Sequence, residues 1–113
     1  MLKVVTTYTR PSADVQFFVG SEEFTAMYKE KYLSTGKVLE MTSELTNGGL
    51  SAVITAVWRT RADFAEFLDE PLLDEMKAAR QVHMEANGIT STQTIEFTPS
   101  FGDPGSETPS QPA

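Results

Sequence analysis

The residues Leu2-Lys3-Val4-Val5-Thr6-Thr7-Tyr8-Thr9 are β-branched or aromatic with partial alternation, and Arg10-Pro11-Ser12 ends the run. This pattern predicts a first strand. The following connection, Ser12 to Gly20, carries Val15, Phe17, Phe18 and Val19, so it is expected to pack as a lid on the edge of the core. A helix is predicted from Ser21, whose side chain suits the orphan N–H groups, with Glu22 and Glu23 in the first turn. Phe24, Met27, Tyr28 and Tyr32 share one face at helical spacing, and Gly36 suits the position after the helix. Lys37 to Thr46 predicts a second strand, with Leu39, Met41 and Leu45 on one face and Glu40, Thr42 and Glu44 on the other. Asn47-Gly48-Gly49 signals a hairpin into a third strand, Leu50 to Trp58. Thr60 caps a second helix with Phe64, Phe67 and Leu68 inward, and a break before Pro71 opens a further helix. Leu72, Met76, Ala79, His83 and Ala86 form its expected stripe, Asn87-Gly88 ends it, and Ile89 can fold back onto Met84. A last strand runs from about Thr90 to Thr98, with Ile95 and Phe97 inward.

The order β-α-β-β-α-β is that of the split βαβ, so the expected class is α+β, ferredoxin-like, with an antiparallel sheet and its helices on one face. The other face should be polar unless something covers it. Strand three has Val53 and Val57 on one side and Ala52, Ile54, Ala56 and Trp58 on the other. Both sides are apolar, and a second copy is the simplest cover. A homodimer packed sheet face to sheet face is therefore expected. Residues 1–100 are read as one domain. Residues 101–113 are rich in Pro, Gly and Ser and are expected to be disordered.

Composition narrows the partners. The 113 residues hold 9 Lys plus Arg against 16 Asp plus Glu, a net charge of −7, which argues against nucleic acid. There is no cysteine, so disulfides, thiolate metal sites and thiol nucleophiles are excluded. No apolar run is long enough to span a bilayer, and Met1 to Val5 lacks the features of a secretory signal. A soluble, cytoplasmic protein without a membrane partner is expected. No glycine-rich phosphate loop and no nucleophile elbow are present.

The segment Ala56-Val57-Trp58-Arg59-Thr60-Arg61-Ala62-Asp63-Phe64-Ala65-Glu66-Phe67-Leu68 resembles the strand-three to helix-two signature of the dimeric α+β barrel superfamily. Its best-known members are domains of the antibiotic-biosynthesis-monooxygenase type. The order of elements from residue 2 to about 98 is similar too. The resemblance implies a dimer and one pocket per subunit, between the helices and the sheet. Haem-degrading members resemble one another in an Asn, a Trp and a His that here fall at Thr6 or Thr7, at Phe67 and near Lys77. None of the three is kept, so haem is not implied, and no cofactor or metal is expected.

Few residues carry candidate chemistry. His83 is the only histidine and lies on the apolar stripe, either lining a site or as a hydrogen-bonded core residue. Tyr28 and Tyr32 offer ring and hydroxyl from one helix face, suited to a pocket wall or to packing. Thr7 joins them if the odd-numbered residues of the first strand face the helices. The candidate pocket is thus Thr7, Tyr28, Tyr32 and His83, for a small apolar or aromatic molecule. The alternatives are a cofactor-independent monooxygenase or isomerase, and a structural dimer without a ligand. No catalytic group is assigned from the sequence.

Overall fold

The computed structural model describes residues 1–98. The predicted disordered tail lies outside the described residues. Four strands form one antiparallel sheet in the order β2-β3-β1-β4: β1 (Leu2–Thr9), β2 (Val38–Thr46), β3 (Ser51–Trp58) and β4 (Thr90–Phe97). Three helices complete the fold: α1 (Glu22–Tyr28), α2 (Arg61–Leu68) and α3 (Pro71–Asn87). The expected α+β architecture is observed. Among the described residues no helix is long and apolar enough to cross a membrane.

The local signals act as their chemistry dictates. Ser21 Oγ accepts from the Phe24 N–H at 3.1 Å, and Thr60 Oγ1 accepts from the Asp63 N–H at 3.1 Å. Pro71 starts α3, where its missing N–H costs nothing. Gly88 takes φ 68° after α3, and the Ile89 N–H closes on the Met84 carbonyl at 3.0 Å. The hairpin turn needs three consecutive left-handed residues, Asn47, Gly48 and Gly49, which only such residues adopt cheaply. After Tyr28 the first helix widens into a π-helical turn, Lys29–Leu33, closed by the Ser34 N–H on the Lys29 carbonyl at 2.9 Å.

The pairing register decides the faces. Leu2 and Val4 lie opposite Trp58 and Ala56 on β3 and opposite Phe97 and Ile95 on β4, and all six belong to or pack against the core. The even-numbered residues of β1 therefore face the helices. Lys3, Val5, Thr7 and Thr9 face the helix-free side, with Val57, Thr55, Val53 and Ser51 of β3 beside them. A register shift between Val38 and Glu40 corrects the simple alternation expected for β2. Val38 and Met41 both lie opposite helix-facing residues, Trp58 and Ala56, while Leu39 is displaced toward the other face.

The core is aromatic. Trp58 is 2% exposed, and its ring meets Tyr28, Tyr32, Phe64 and Phe67 at centroid distances of 5.1–6.3 Å. Two expected stripes are realised only in part. Leu68 is exposed, leaving Phe64 and Phe67 as the inner residues of α2. On α3 the buried residues are Leu73 and Met84, the expected Leu72, Met76 and His83 are half-buried, and Ala79 and Ala86 are exposed. Alanine suits a solvated helix face as well as a core, so it misplaced the stripe.

Replacing Trp58 by Ala should cost about 3–5 kcal/mol, since the surrounding rings cannot close such a gap. Urea unfolding followed by far-ultraviolet circular dichroism measures this. A loss below about 1 kcal/mol would show that the cluster is not the core.

Candidate functional site

The structure does not bring the four predicted pocket residues together. Tyr32 is fully buried, and its hydroxyl donates to Glu70 Oε2 at 2.6 Å. Lys31 Nζ sits 3.3 Å from the same carboxylate. Burial and then the Glu70 carboxylate push the Tyr32 hydroxyl well above the ordinary tyrosine range. Burial alone pushes Tyr28 up to about 12. The hydrogen bond from Tyr32, helped by Lys31 and Lys37, holds Glu70 below the usual carboxylate range against the opposing effect of burial. Tyr28 and Tyr32 thus stand as protonated members of the aromatic core.

His83 is half-buried at the other end of α3. Its Nε2 lies 2.7 Å from the Gln16 carbonyl. A carbonyl only accepts, so Nε2 carries the proton. Phe18 stands 5.9 Å from the ring, centroid to centroid. His83 therefore pins the connection between β1 and α1. Arg10 holds the same segment from below. Its Nη1 donates to the Val15 carbonyl at 2.9 Å, its Nη2 to the Gly49 carbonyl at 2.7 Å, and its guanidinium lies 4.7 Å from the Phe17 ring centre. Glu70 and His83 are thirteen residues apart, so at 1.5 Å per residue Tyr32 and His83 are anchored roughly 20 Å apart. Thr7 lies on the helix-free face, away from all three. The condition that placed it in the pocket is not met, because Leu2 and Val4 commit the even-numbered side of β1 to the helices.

The helix-facing side also keeps an accessible stretch of sheet, bordered by α3 and by the connection that Arg10 and His83 hold. The helices cover the end of the sheet that holds Leu2, Val4, Val38 and Trp58. Toward the other end of the same face, Thr6, Tyr8 and Ile54 remain partly accessible, and Met41, Leu45 and Gln93 are exposed. The register sorts this surface by chemistry. Met41 and Leu45 of β2 stand opposite Ala56 and Ala52 of β3, giving with Ile54 a mostly apolar shelf that Ser43, opposite Ile54, interrupts. Thr6 and Tyr8 of β1 stand opposite Gln93 and Ser91 of β4, giving a polar row. Gln93 Nε2 donates to Thr6 Oγ1 at 3.1 Å, and Arg80 Nη1 donates to the Tyr8 hydroxyl at 2.9 Å. Arg80 projects from α3 between the buried Leu73 and Met84. Sequence reasoning missed it, although i, i+7 and i+11 from Leu73 to Arg80 to Met84 puts a cation on the inner face.

On the helix-free face a shallow depression of about 290 Å³ is lined by Lys3, Leu39, Glu40, Val57 and Glu96, among others. Among the described residues no group of three His, Cys, Asp or Glu could hold a metal ion.

The buried hydroxyls make a pH prediction. Tyr28 and Tyr32 keep their protons where the unfolded chain loses them, near pH 10. The folded state then binds more protons, so stability falls as pH rises past about 10. Each tyrosine adds up to about 1.4 kcal/mol per pH unit to that fall. Glu70 acts at the acid end: its contribution is complete above the unfolded value and is lost as pH falls through its lower folded value. Urea midpoints from pH 3 to 11 test this. Tyr28→Phe and Tyr32→Phe should each flatten the alkaline limb, and an unchanged slope in both would refute the assignment.

No protein-family model and no curated protein matches the sequence significantly. Solved structures are similar in shape. A candidate antibiotic biosynthesis monooxygenase from Deinococcus radiodurans matches 89% of this chain and 95% of its own, with a TM-score of 0.57 at 13% identity. The Mycobacterium tuberculosis protein Rv0793 matches 90% and 99%, with a TM-score of 0.55 at 13% identity. At such identity the likeness shows the fold alone, and on that ground the chain shares the ferredoxin-like α+β fold of these structures.

Proposed function

We propose that the chain works as a homodimer that binds a small, largely apolar molecule in a cleft between α3 and the accessible half of the helix-facing sheet surface. The observation that carries this reading is the accessible apolar shelf of Met41, Leu45 and Ile54 beside the polar row of Thr6, Tyr8 and Gln93. A mostly apolar wall with a few placed polar groups is the usual form of a small-molecule site. Tyr28, Tyr32 and His83 support the site rather than line it: the tyrosines build the core beneath α1, and His83 holds the connection that borders α3.

The second copy covers the helix-free face. Val5, Val53 and Val57 lie there together, ringed by Thr7, Thr55 and Thr94. Three valines on a central pair of strands are poorly placed in water, and an isologous partner buries them on both copies at once. Sedimentation equilibrium at micromolar concentration should give twice the chain mass. Val53→Asp should shift the equilibrium to monomer, because a carboxylate would be buried without a partner. A wild-type monomer would end the dimer reading.

Binding is tested by thermal shift and two-dimensional amide NMR with a panel of small aromatic molecules. A ligand at about 100 times its dissociation constant adds roughly 2.7 kcal/mol to stability. Amide shifts centred on Thr6, Ile54 and Gln93 are expected. Shifts confined to Val5, Val53 and Val57, or none with any compound, would overturn the cleft reading. Oxygen consumption or isomerisation of a bound compound would instead favour the cofactor-independent enzyme.

A further inference from the structure

We infer that the molecule held in this cleft is an amphipathic anion, with a carboxylate held by Arg80 and Tyr8 and an apolar body lying across β3 toward β2. This rests on the cleft reading above and adds the chemical class of the ligand.

The cation is the starting point. The other basic side chains that reach into the structure are engaged: Lys31 with Glu70, Lys37 with Glu66, Arg59 with Asp63, Arg10 with two backbone carbonyls, and Arg61 with the Phe97 ring among its contacts. Arg80 differs. Among the described residues its guanidinium has one hydrogen-bond partner, the Tyr8 hydroxyl, and its only other contact of note is the Tyr8 ring, 5.6 Å from ring centre to Cζ. Its neighbours one turn away on α3 are Met76, Lys77, His83 and Met84, with no carboxylate among them. In a chain of net charge −7 this local surplus of positive charge runs against the composition.

The donors are arranged for an oxygen anion. A guanidinium has five N–H donors and cannot accept. Arg80 uses one on Tyr8, which leaves a pair to meet a carboxylate side by side. Because the Tyr8 oxygen accepts from Arg80, its own O–H is free to donate outward. Thr6 is placed the same way two residues back on the strand, its oxygen accepting from Gln93. Three adjacent groups on one face therefore present spare hydrogens and no negative charge.

The apolar part follows from the register. From β1 through β3 to β2 the sheet advances two strand spacings, roughly 10 Å. Across that span the surface changes from Tyr8 and Thr6 to Ile54 and Ala52 and then to Met41 and Leu45, with Ser43 between the last two. A ligand of about two fused rings with one terminal carboxylate matches both the span and the change in polarity.

The experiment compares 2-naphthoate with its neutral counterpart 2-naphthamide on the full-length protein, by amide NMR titration at two salt concentrations. The naphthoate is expected to bind at least tenfold more tightly, a difference of about 1.4 kcal/mol. Its shifts should centre on Thr6, Tyr8 and Gln93. Arg80→Gln should bring the naphthoate-to-naphthamide affinity ratio close to one, whereas Arg80→Lys should retain part of the preference. Tyr8→Phe should weaken the naphthoate by a smaller factor. The wild-type ratio tests the inference even if a variant fails to fold. Equal wild-type affinities, or an Arg80→Gln protein that keeps the preference, would overturn the anion assignment and leave the cleft reading standing. No shift with either compound would overturn the cleft reading itself.

Discussion

The burial of the Trp58 indole under two tyrosines and two phenylalanines is the contact on which the architecture depends. Trp58 ends β3 and stands opposite Leu2 and Val38, so it ties three strands at one end of the sheet. Tyr28 and Tyr32 bring in the first helix and its π-helical turn, and Phe64 and Phe67 bring in α2. A small chain has little apolar surface with which to oppose conformational entropy. Concentrating its largest side chains at one end stabilises that end strongly. The same concentration leaves fewer large groups for the other end, where Thr6, Tyr8 and Ile54 stay partly accessible.

The two ends of α3 are held by different means. At its start Glu70 accepts from Tyr32 and is attended by Lys31. At its finish His83 holds the Gln16 carbonyl, and Gly88 turns the chain into β4. Between these anchors the helix crosses the sheet with Arg80 on its inner side. A guanidinium at that position would be costly in a closed core. It is tolerated because the sheet beneath it is accessible and offers the Tyr8 hydroxyl. The charge and the opening explain each other.

Both faces of the sheet carry apolar groups, but they differ in kind. The helix-free face is uniform, with small valines among threonines, which suits a flat self-complementary contact. The helix-facing side is graded, from an aromatic core through an apolar shelf to a polar row. The first character is what the proposed contact between copies requires, and the second is what the proposed small-molecule site requires.

The order of elements was legible because each boundary has a local cause: Ser21 and Thr60 as caps, Pro71 as a start, Asn47-Gly48-Gly49 and Gly88 as left-handed turns. The β1 face assignment was not legible, since Val4 and Val5 are equally apolar and only pairing with Trp58 and Phe97 commits Leu2 and Val4 to the helices. The same ambiguity misplaced Thr7. Tyr28, Tyr32 and His83 share the right residue chemistry, but sequence spacing cannot tell that Tyr32 meets one end of α3 and His83 lies at the other. Arg80 looked like a solvated charge until the strand register set Tyr8 beneath it. Local stereochemistry acts over four or five residues and is written in the sequence. Which side chains converge depends on register and on helix placement, which arise only when distant segments compete for the same buried surface.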